Sequence, residues 1–416
     1  MTSGRLYILA VMAMFHSPWM PSAANAQSEP LLSSDYDIDL YQGMIMGSPR
    51  VIGLGGAYTG LAEGVVALPF NSAAVVQRPA FSSGYFDWDL GFDIVFPPSM
   101  QSGTFDIDNN GESRSEQYMS LSAGLLFQWG NWGVGVYVMG HTYQLDAYSL
   151  SFERLEQSVF TTRLALGYSM LGHQLLFGLT MKQGVFQLQP IDSSGEYSDG
   201  GVIFEQTALT PELGLLCRPE DGFYRFGAAF SGPDLGGTGQ PCAEPNCPVG
   251  LVLPRGISMP WVVSLAGTYK LGGLPLNLTP RYFLESKEQP GRNTKGIDTY
   301  FLLIAFQVDI VGAHSDAVGS DGFISQTRQL SGQNLSVIPR LGVEAEVWPG
   351  WIRARTGFYW EPARFEQSPG RAHATLGADI KLFRIDWLND SPLLFSAAMD
   401  ISRQFQNLSF SLGFWR

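Results

Sequence analysis

Two cysteines stand close together in a segment rich in proline and glycine. Cys242 and Cys247 are separated by four residues, and Cys217 is the third cysteine of the chain. In an oxidising compartment the close pair could form a disulfide. Metal binding is the weaker interpretation, because two further ligands are missing nearby. Cys217 is interpreted as a small buried apolar residue.

The sequence holds no pattern typical of an enzyme. Its five histidines are scattered without the spacing of metal ligands. No G-x-S-x-G nucleophile elbow is present. The glycine-rich run at 53–58 lacks the complete G-x-G-x-x-G pattern and does not follow a strand of a βαβ unit. We therefore expect no catalytic residues, no metal and no cofactor.

Residues 1–26 have the composition of a signal peptide. Arg5 supplies a positive charge, residues 6–15 form an apolar run, and Ala-Asn-Ala at 24–26 offers a cleavage site. The rival interpretation is an N-terminal membrane helix, but the run is shorter than the roughly 20 apolar residues that a span needs. We expect an exported chain whose mature form begins at Gln27.

The composition favours one large body of short strands. The chain has 48 glycines, 13% aromatic residues and only 15% charged residues, which suits strands better than helices. No linker divides it, and no later stretch reaches the length of a helical span. The formal net charge of −13 argues against a nucleic-acid partner.

One pattern recurs along the chain: apolar residues at alternate positions over about ten residues. Trp88 to Phe96 shows it, and the runs 121–129 and 132–138 form a hairpin around Gly130-Asn131. About fifteen such runs are present, and fourteen is the nearest even number, as a membrane barrel requires. The later runs are at about 156–170, 173–188, 206–217, 222–231, 260–271, 274–286, 297–311, 335–348, 350–361, 371–384, 392–404 and 406–416.

Short turns alternate with long polar loops between these runs, which predicts one rim of tight turns and one rim of long loops. Trp and Tyr near the segment ends would form interfacial girdles. This pattern indicates an all-β transmembrane antiparallel barrel in the cell outer membrane, surrounded by lipid. The predicted turns are 129–131, 171–172, 272–273 and 349–350, and the predicted loops are 97–118, 189–205, 232–259, 287–296 and 312–334.

Residues 47–79 differ from the rest, being rich in Gly and Ala with helical spacing. This run resembles the N-terminal motif of the FadL-type barrel superfamily, which includes long-chain fatty-acid and aromatic-hydrocarbon transporters and PorV-type proteins. The chain departs from the motif at Ser72-Ala73, where Pro-Ala is usual, and in having the single acid Glu63 where an Asp pair is common. The matching positions are Arg50, Gly53, Gly55, Gly56, Ala57, Glu63 and Asn71.

The resemblance implies a 14-stranded barrel whose N-terminal segment folds inward as a hatch. A physical argument agrees, because side chains alone do not fill the lumen of so wide a barrel. We expect a signal peptide at 1–26, an N-terminal extension and hatch at 27–79, and the barrel at 80–416. Arg50 and Glu63 are expected to pair with lumen charges, and the hatch glycines to allow close approach to the wall.

The loop at 232–259 joins the cysteine pair to apolar residues. An apolar patch on a loop suggests a place where a hydrophobic ligand first binds. The alternative is that these residues pack on neighbouring loops. The candidate ligand-binding residues are Leu251, Val252, Leu253, Ile257 and Met259.

Two functions follow from the resemblance. The leading one is passive uptake of a hydrophobic, fatty-acid-like small molecule through a hatch-plugged lumen. The other is a PorV-type scaffold or shuttle for secretion or surface attachment of proteins, whose partners would be secreted proteins. A transporter should have an apolar path from the loops to the hatch, whereas a scaffold can have a polar interior.

Overall fold

A computed structural model describes most of the chain. The predicted signal peptide, 1–26, and the predicted disulfide pair, Cys242 and Cys247, lie outside the described residues. The described residues are 29–41, 43–78, 85–96, 106, 109, 117–146, 154–191, 201–234, 239–241, 251–278, 300–365, 368–385 and 391–414.

Fourteen antiparallel strands form a closed barrel, as the alternating pattern predicted. Each strand pairs with its neighbours in the chain, and the last strand pairs with the first, with Ser411 opposite Asp93. The strands are β1 Phe86–Phe96, β2 Gln117–Trp129, β3 Trp132–Asp146, β4 Arg154–Met170, β5 Leu175–Ile191, β6 Phe204–Cys217, β7 Tyr224–Ser231, β8 Val262–Leu271, β9 Leu302–Val311, β10 Ser336–Trp348, β11 Ile352–Glu361, β12 Arg371–Ile385, β13 Ser391–Ser402 and β14 Phe405–Phe414.

The two rims differ as expected at most connections, with two exceptions. The predicted turn at 272–273 begins a long connection, 272–301, at the turn rim, and residues 403–404 form a two-residue turn at the loop rim. The connections after even-numbered strands form the turn rim, and those after odd-numbered strands form the loop rim. The predicted turns at 129–131, 171–172 and 349–350 lie at the turn rim. Four of the predicted long loops connect strands at the loop rim. Trp132, Trp348 and Trp351 are exposed at the turn rim, where an interfacial girdle would lie.

The strand predicted at 274–286 is absent from its described part, 274–278, and residues 279–286 lie outside the described residues. β8 pairs directly with β9, with Leu271 opposite Leu302, so the wall has no place for a strand between them. Leu276 and Leu278 give the apolar alternation, but both are buried beside the barrel mouth, where the Leu276 carbonyl accepts a hydrogen bond from Arg225. The connection from β8 to β9 begins and ends at the turn rim. The long loop predicted at 287–296 lies outside the described residues.

The two faces of the wall have opposite chemistry. Along β4, Phe160, Leu164 and Leu166 point outward and are exposed, whereas Thr161 and Arg163 point inward and are buried. Large apolar side chains on the outer face would be unfavourable in water and are stable against lipid. The barrel therefore spans a membrane with its polar face toward the lumen.

No helix in the described part of the chain has the length and apolar character of a membrane span. The helices are all short: α1 Pro49–Gly53, α2 Ser320–Ile324, and the 3-10 helices Val65–Ala67 and Ser72–Val76.

Residues 43–78, here called the inner segment, run against the inward face of the wall. The segment contains α1, which begins after Ser48, whose hydroxyl accepts a hydrogen bond from the Val51 amide. Pro49 fits the first helical position because its missing N–H would have no partner there. Asn71 caps the 3-10 helix Ser72–Val76 by accepting from the Ala73 amide at 2.9 Å.

A small parallel sheet lies at the loop rim. The central strand, Asp37–Asp39, comes from the N-terminal part of the chain and pairs with Gly256–Ser258 on one side and Ala317–Val318 on the other. A further short strand, Gln240–Pro241, extends the wall beside the start of β6. The chain N-terminal to the inner segment thus reaches the loop rim.

Candidate functional site: the lumen and its inner segment

A row of wall glycines makes room for the inner segment. Gly133, Gly167, Gly178 and Gly214 are direct neighbours on four consecutive strands. A Cβ on Gly178 would lie 2.1 Å from the carbonyl carbon of Ser72, so no larger residue fits without movement. No local sequence pattern predicted this row, although the high glycine content was a signal for it.

The glycines predicted in the hatch motif belong to the inner segment and lie against the wall strands. Gly55 and Gly56 have φ angles of +61° and +74°, which favour glycine. A Cβ on Gly55 would lie 2.9 Å from the amide nitrogen of Phe358 on β11. A Cβ on Gly53 would lie 3.2 Å from the Cα of Gly377 on β12. Glycines on both partners therefore allow backbone to approach backbone.

Ion pairs join the inner segment to two wall strands. Arg50 pairs with Glu344 on β10 at 2.9 Å and with Glu63 of its own segment at 2.9 Å. Glu63 also pairs with Arg225 on β7 at 2.7 Å. Arg355 on β11 contacts Glu344 from the wall side. Arg50 and Glu63 were predicted from the sequence to pair with lumen charges, whereas Arg225 was not.

These cations control the ionisation of Glu63. Burial alone would raise the pKa of this carboxyl, but Arg225 and then Arg50 outweigh burial and lower the pKa to about 2. Glu63 is therefore ionised at neutral pH, and it remains a partner for both guanidinium groups.

Asn71 connects three parts of the structure. Its side-chain oxygen caps the following 3-10 helix, and its amide nitrogen donates to the carbonyl oxygens of Thr59, at 2.9 Å, and Leu215 on β6, at 3.1 Å. The side chain is buried, so each of these bonds satisfies a group that water does not reach. The predicted motif residue thus fixes the inner segment to the wall.

Two cavities lie on opposite sides of the inner segment. The turn-side cavity, about 330 Å³, has many charged residues in its lining, among them Arg50, Glu63, Lys270 and Arg353. The outer cavity, about 240 Å³, lies toward the loop rim. Its apolar lining includes Leu40, Tyr41, Met44, Ile45, Met46, Leu68, Phe70, Met139 and Met259.

The charged residues of the outer cavity all have partners. Arg163 lies 3.2 Å from Glu212, and Lys182 lies 4.0 Å from the same carboxylate. Arg340 contacts Asp309 at 2.6 Å. Each charge thus has an opposite neighbour, with three cations sharing two carboxylates, and most of the remaining lining is apolar.

Among the described residues, the pairing of β6 with β7 is short beside the outer cavity and ends with a hydrogen bond from the Gly232 amide to the Pro211 carbonyl at 2.9 Å. β6 and β7 pair only from Glu212 opposite Ser231 down to the turn rim, although β6 continues to the loop rim. Pro211 stands where this pairing ends and has no N–H to donate. Leu213 and Phe230 line both the outer cavity and a groove of about 560 Å³ on the lipid-facing surface. These two side chains thus lie between the outer cavity and the lipid-facing groove.

Of the predicted ligand-binding residues, the structure brings Met259 to the outer cavity. Ile257 pairs with Ile38 in the small sheet, and the Val252 carbonyl accepts from the Tyr36 hydroxyl at 2.6 Å. Leu251 and Leu253 are half-buried and pack against the same core. The role of these loop residues as a capture site stays a prediction.

Comparisons with known proteins bear on the fold. No family model matches the chain, and no curated protein matches its sequence. Among solved structures, the CymD monoaromatic hydrocarbon channel has a TM-score of 0.54 at 12% identity, covering 88% of this chain and 96% of CymD. The Pseudomonas putida toluene transporter TodX has a TM-score of 0.50 at 12% identity, covering 84% of this chain and 93% of TodX. The protein therefore has the fold of the FadL-type outer-membrane barrels, which its N-terminal motif resembles.

Proposed function

We propose that the protein is a passive outer-membrane channel for uncharged hydrophobic small molecules. The observation that carries the proposal is the outer cavity, an apolar chamber with paired charges that ends at the inner segment. The named channels with the same fold, one for monoaromatic hydrocarbons and one for toluene, agree with this choice of substrate class.

The lining suits a small lipophile. Methionine side chains such as Met44 and Met139 are flexible and polarisable, so they adapt to ligands of different shape and contact aromatic rings favourably. The volume of about 240 Å³ lies below the roughly 300 Å³ at which most ligand pockets begin. A compact molecule fits this space better than the whole of a long acyl chain.

In the proposed route, the ligand reaches the outer cavity from the loop rim and leaves when the inner segment or the wall shifts. The inner segment acts as the hatch, because its residues line both the outer cavity and the turn-side cavity. The short pairing between β6 and β7, beside Leu213 and Phe230, offers a second way out, into the lipid. Transfer down a gradient needs no energy coupling. None of the described contacts favours the PorV-type scaffold.

Binding to the purified protein tests the proposal. Native mass spectrometry with added toluene or oleate as probes should show bound lipophile, with toluene preferred. Met139→Lys places an unpaired charge in the outer cavity and should weaken binding by about tenfold or more, on the order of 1.4 kcal/mol. Met139→Leu is the matched control, because it keeps the site apolar and should bind as the parent does.

Uptake completes the test. Cells of a Gram-negative host that make the protein should take up labelled toluene faster than cells without it, and Met139→Lys should remove the difference. An empty barrel purified with a stoichiometric protein partner, together with uptake that ignores the barrel, would overturn the channel and support the scaffold.

A further inference from the structure

The N-terminal part of the chain, residues 29–41, here called the strap, is held by loops. Its backbone hydrogen bonds in the described structure run to the connections after β7 and after β9. Leu31 donates to the Gln326 carbonyl at 2.9 Å, Asp37 to Asp316 at 3.1 Å and Leu40 to Ser258 at 3.0 Å. These bonds include no pairing with a barrel strand, so the strap can separate without opening the wall.

Two carboxylates of the strap fasten it to cations on the loops. Asp37 pairs with Arg255 at 2.7 Å. Asp39 pairs with Arg364, from the connection after β11, at 3.0 Å, and accepts from the Ser331 hydroxyl at 2.7 Å. Breaking these two ion pairs would therefore free the strap from Arg255 and Arg364 without disturbing a barrel strand.

The strap continues directly into the lining of the outer cavity. Leu40 and Tyr41 at its end line this cavity, as do Met44, Ile45 and Met46 just after it. Arg364 also stacks on the Tyr41 ring, 4.9 Å from its centroid. The group that fastens the strap thus touches a residue of the cavity lining, so release of the strap would change the cavity itself.

We propose that the strap is a removable lid which closes the loop-side mouth of the outer cavity and supplies part of its ligand-contacting lining. This inference rests on the proposed function. A hydrophobic molecule reaches the cavity when the Asp37 and Asp39 contacts break and the central strand Asp37–Asp39 leaves the small sheet. Its return encloses the molecule and places Tyr41 and Met44 against it. A ligand that contacts these residues favours the closed form.

A reversible lock on the strap tests the proposal. Ile38 and Val318 are Cα partners in the small sheet, so Ile38→Cys with Val318→Cys should form a disulfide. Met139→Cys, with the native cysteines changed to Ser, reports access to the outer cavity through its rate of reaction with N-phenylmaleimide in the purified protein. Peptide mass spectrometry reads the label at position 139. Oxidation should slow this reaction by about tenfold or more, and reduction should restore it.

The matched control is a disulfide within the loop after β9 that does not include the strap. Val318 forms an isolated antiparallel bridge with Leu330, so Val318→Cys with Leu330→Cys crosslinks the small sheet beside a free strap. The reaction at position 139 should then keep the rate of the unlocked protein. Equal rates in the oxidised lock and in this control would overturn the strap as a lid.

A charge variant tests the fastening without a disulfide. Asp39→Asn removes the partner of Arg364 and should speed the reaction at position 139 several-fold. Asp35→Asn removes the same charge from an exposed position on the same strap and should leave the rate unchanged. If both variants behave alike, net charge rather than the Asp39 contact sets the rate.

Uptake of labelled toluene separates this inference from the proposed function. If the lock slows both the reaction at position 139 and uptake, both proposals stand. If it slows only the reaction, and uptake never depends on the barrel, the channel is wrong while the strap remains a lid. If uptake depends on the barrel but continues when the strap is locked, toluene reaches the cavity by another path and the lid proposal fails.

Discussion

Arg50 forms a bidentate ion pair with Glu344: Nε and Nη2 each donate to a different carboxylate oxygen at 2.9 Å. This bidentate pair joins α1 of the inner segment to wall strand β10, and Glu344 lies 294 residues after Arg50 in the chain. Because such a pair fixes orientation as well as distance, it sets how the inner segment sits in the lumen. The contact between Glu63 and Arg225 adds a second attachment on β7.

Replacing Arg50 should loosen the inner segment and let ions through. Lysine keeps the positive charge but cannot form the bidentate contact with Glu344. Arg50→Lys should therefore raise the ion leak through the barrel less than Arg50→Ala does. Removing one partner of a buried pair costs about 3–5 kcal/mol, and the lower end applies because Glu344 keeps Arg355. Conductance of the purified barrel in planar bilayers measures the leak. Arg353→Ala, which breaks a wall pair with Glu346, is the control. A control leak as large as that of Arg50→Ala would contradict this prediction.

The glycine row predicts a substitution that moves the inner segment. Gly178→Ala places a methyl group 2.1 Å from the Ser72 carbonyl carbon, whereas a Cβ on Gly184, on the same strand, has no atom within 4 Å. Overpacking of this kind costs about 1–3 kcal/mol. Gly178→Ala should therefore increase both conductance and proteolysis near residue 72, and Gly184→Ala should change neither. Increased proteolysis in both variants would point to β5 itself rather than to the contact with Ser72.

The mass of the mature protein tests two predictions about residues outside the structure described here. Cleavage after Ala26 would leave a chain that begins at Gln27, and intact mass spectrometry detects this directly. A Cys242–Cys247 disulfide would lower the mass by two hydrogens, restored on reduction. Cys242→Ser should abolish that shift, whereas Cys217→Ser should preserve it. A mass that reduction does not change would show that the two cysteines are unpaired.

The wall strands could be predicted from the sequence because the alternation of apolar and polar residues is a local pattern within each strand. Each strand alternates apolar and polar residues, and the lipid-facing positions need no knowledge of their neighbours. The described part of the run at 274–286, residues 274–278, forms no strand, because alternation does not say which surface buries the apolar residues. Leu276 and Leu278 are buried near the barrel mouth rather than facing lipid from a wall strand.

For the candidate site, the sequence predicted the residues of the inner segment but not their partners on the barrel wall. The hatch glycines, Arg50 and Glu63 stand within one short motif, so their spacing carried the resemblance. Their partners are dispersed along the chain: Arg225 lies 162 residues from Glu63, and the wall glycines occupy a different strand each. Strand register brings these residues together, and register depends on pairing that no local pattern fixes.

Acid should release the attachment at Glu63. The pKa of Glu63 falls from its ordinary value of 4.5 to about 2 in the folded protein. A group with a lowered pKa stabilises the fold above its ordinary pKa, and this contribution disappears as the pH falls through the folded value. The leak through the barrel should therefore begin to rise below pH 4.5 and increase toward pH 2. Glu63→Gln should leak at neutral pH and show a flatter pH dependence. Glu346→Gln, whose partner is Arg353 in the wall, should keep the pH dependence of the parent protein, and a flattened response there would assign the acid sensitivity to the wall instead.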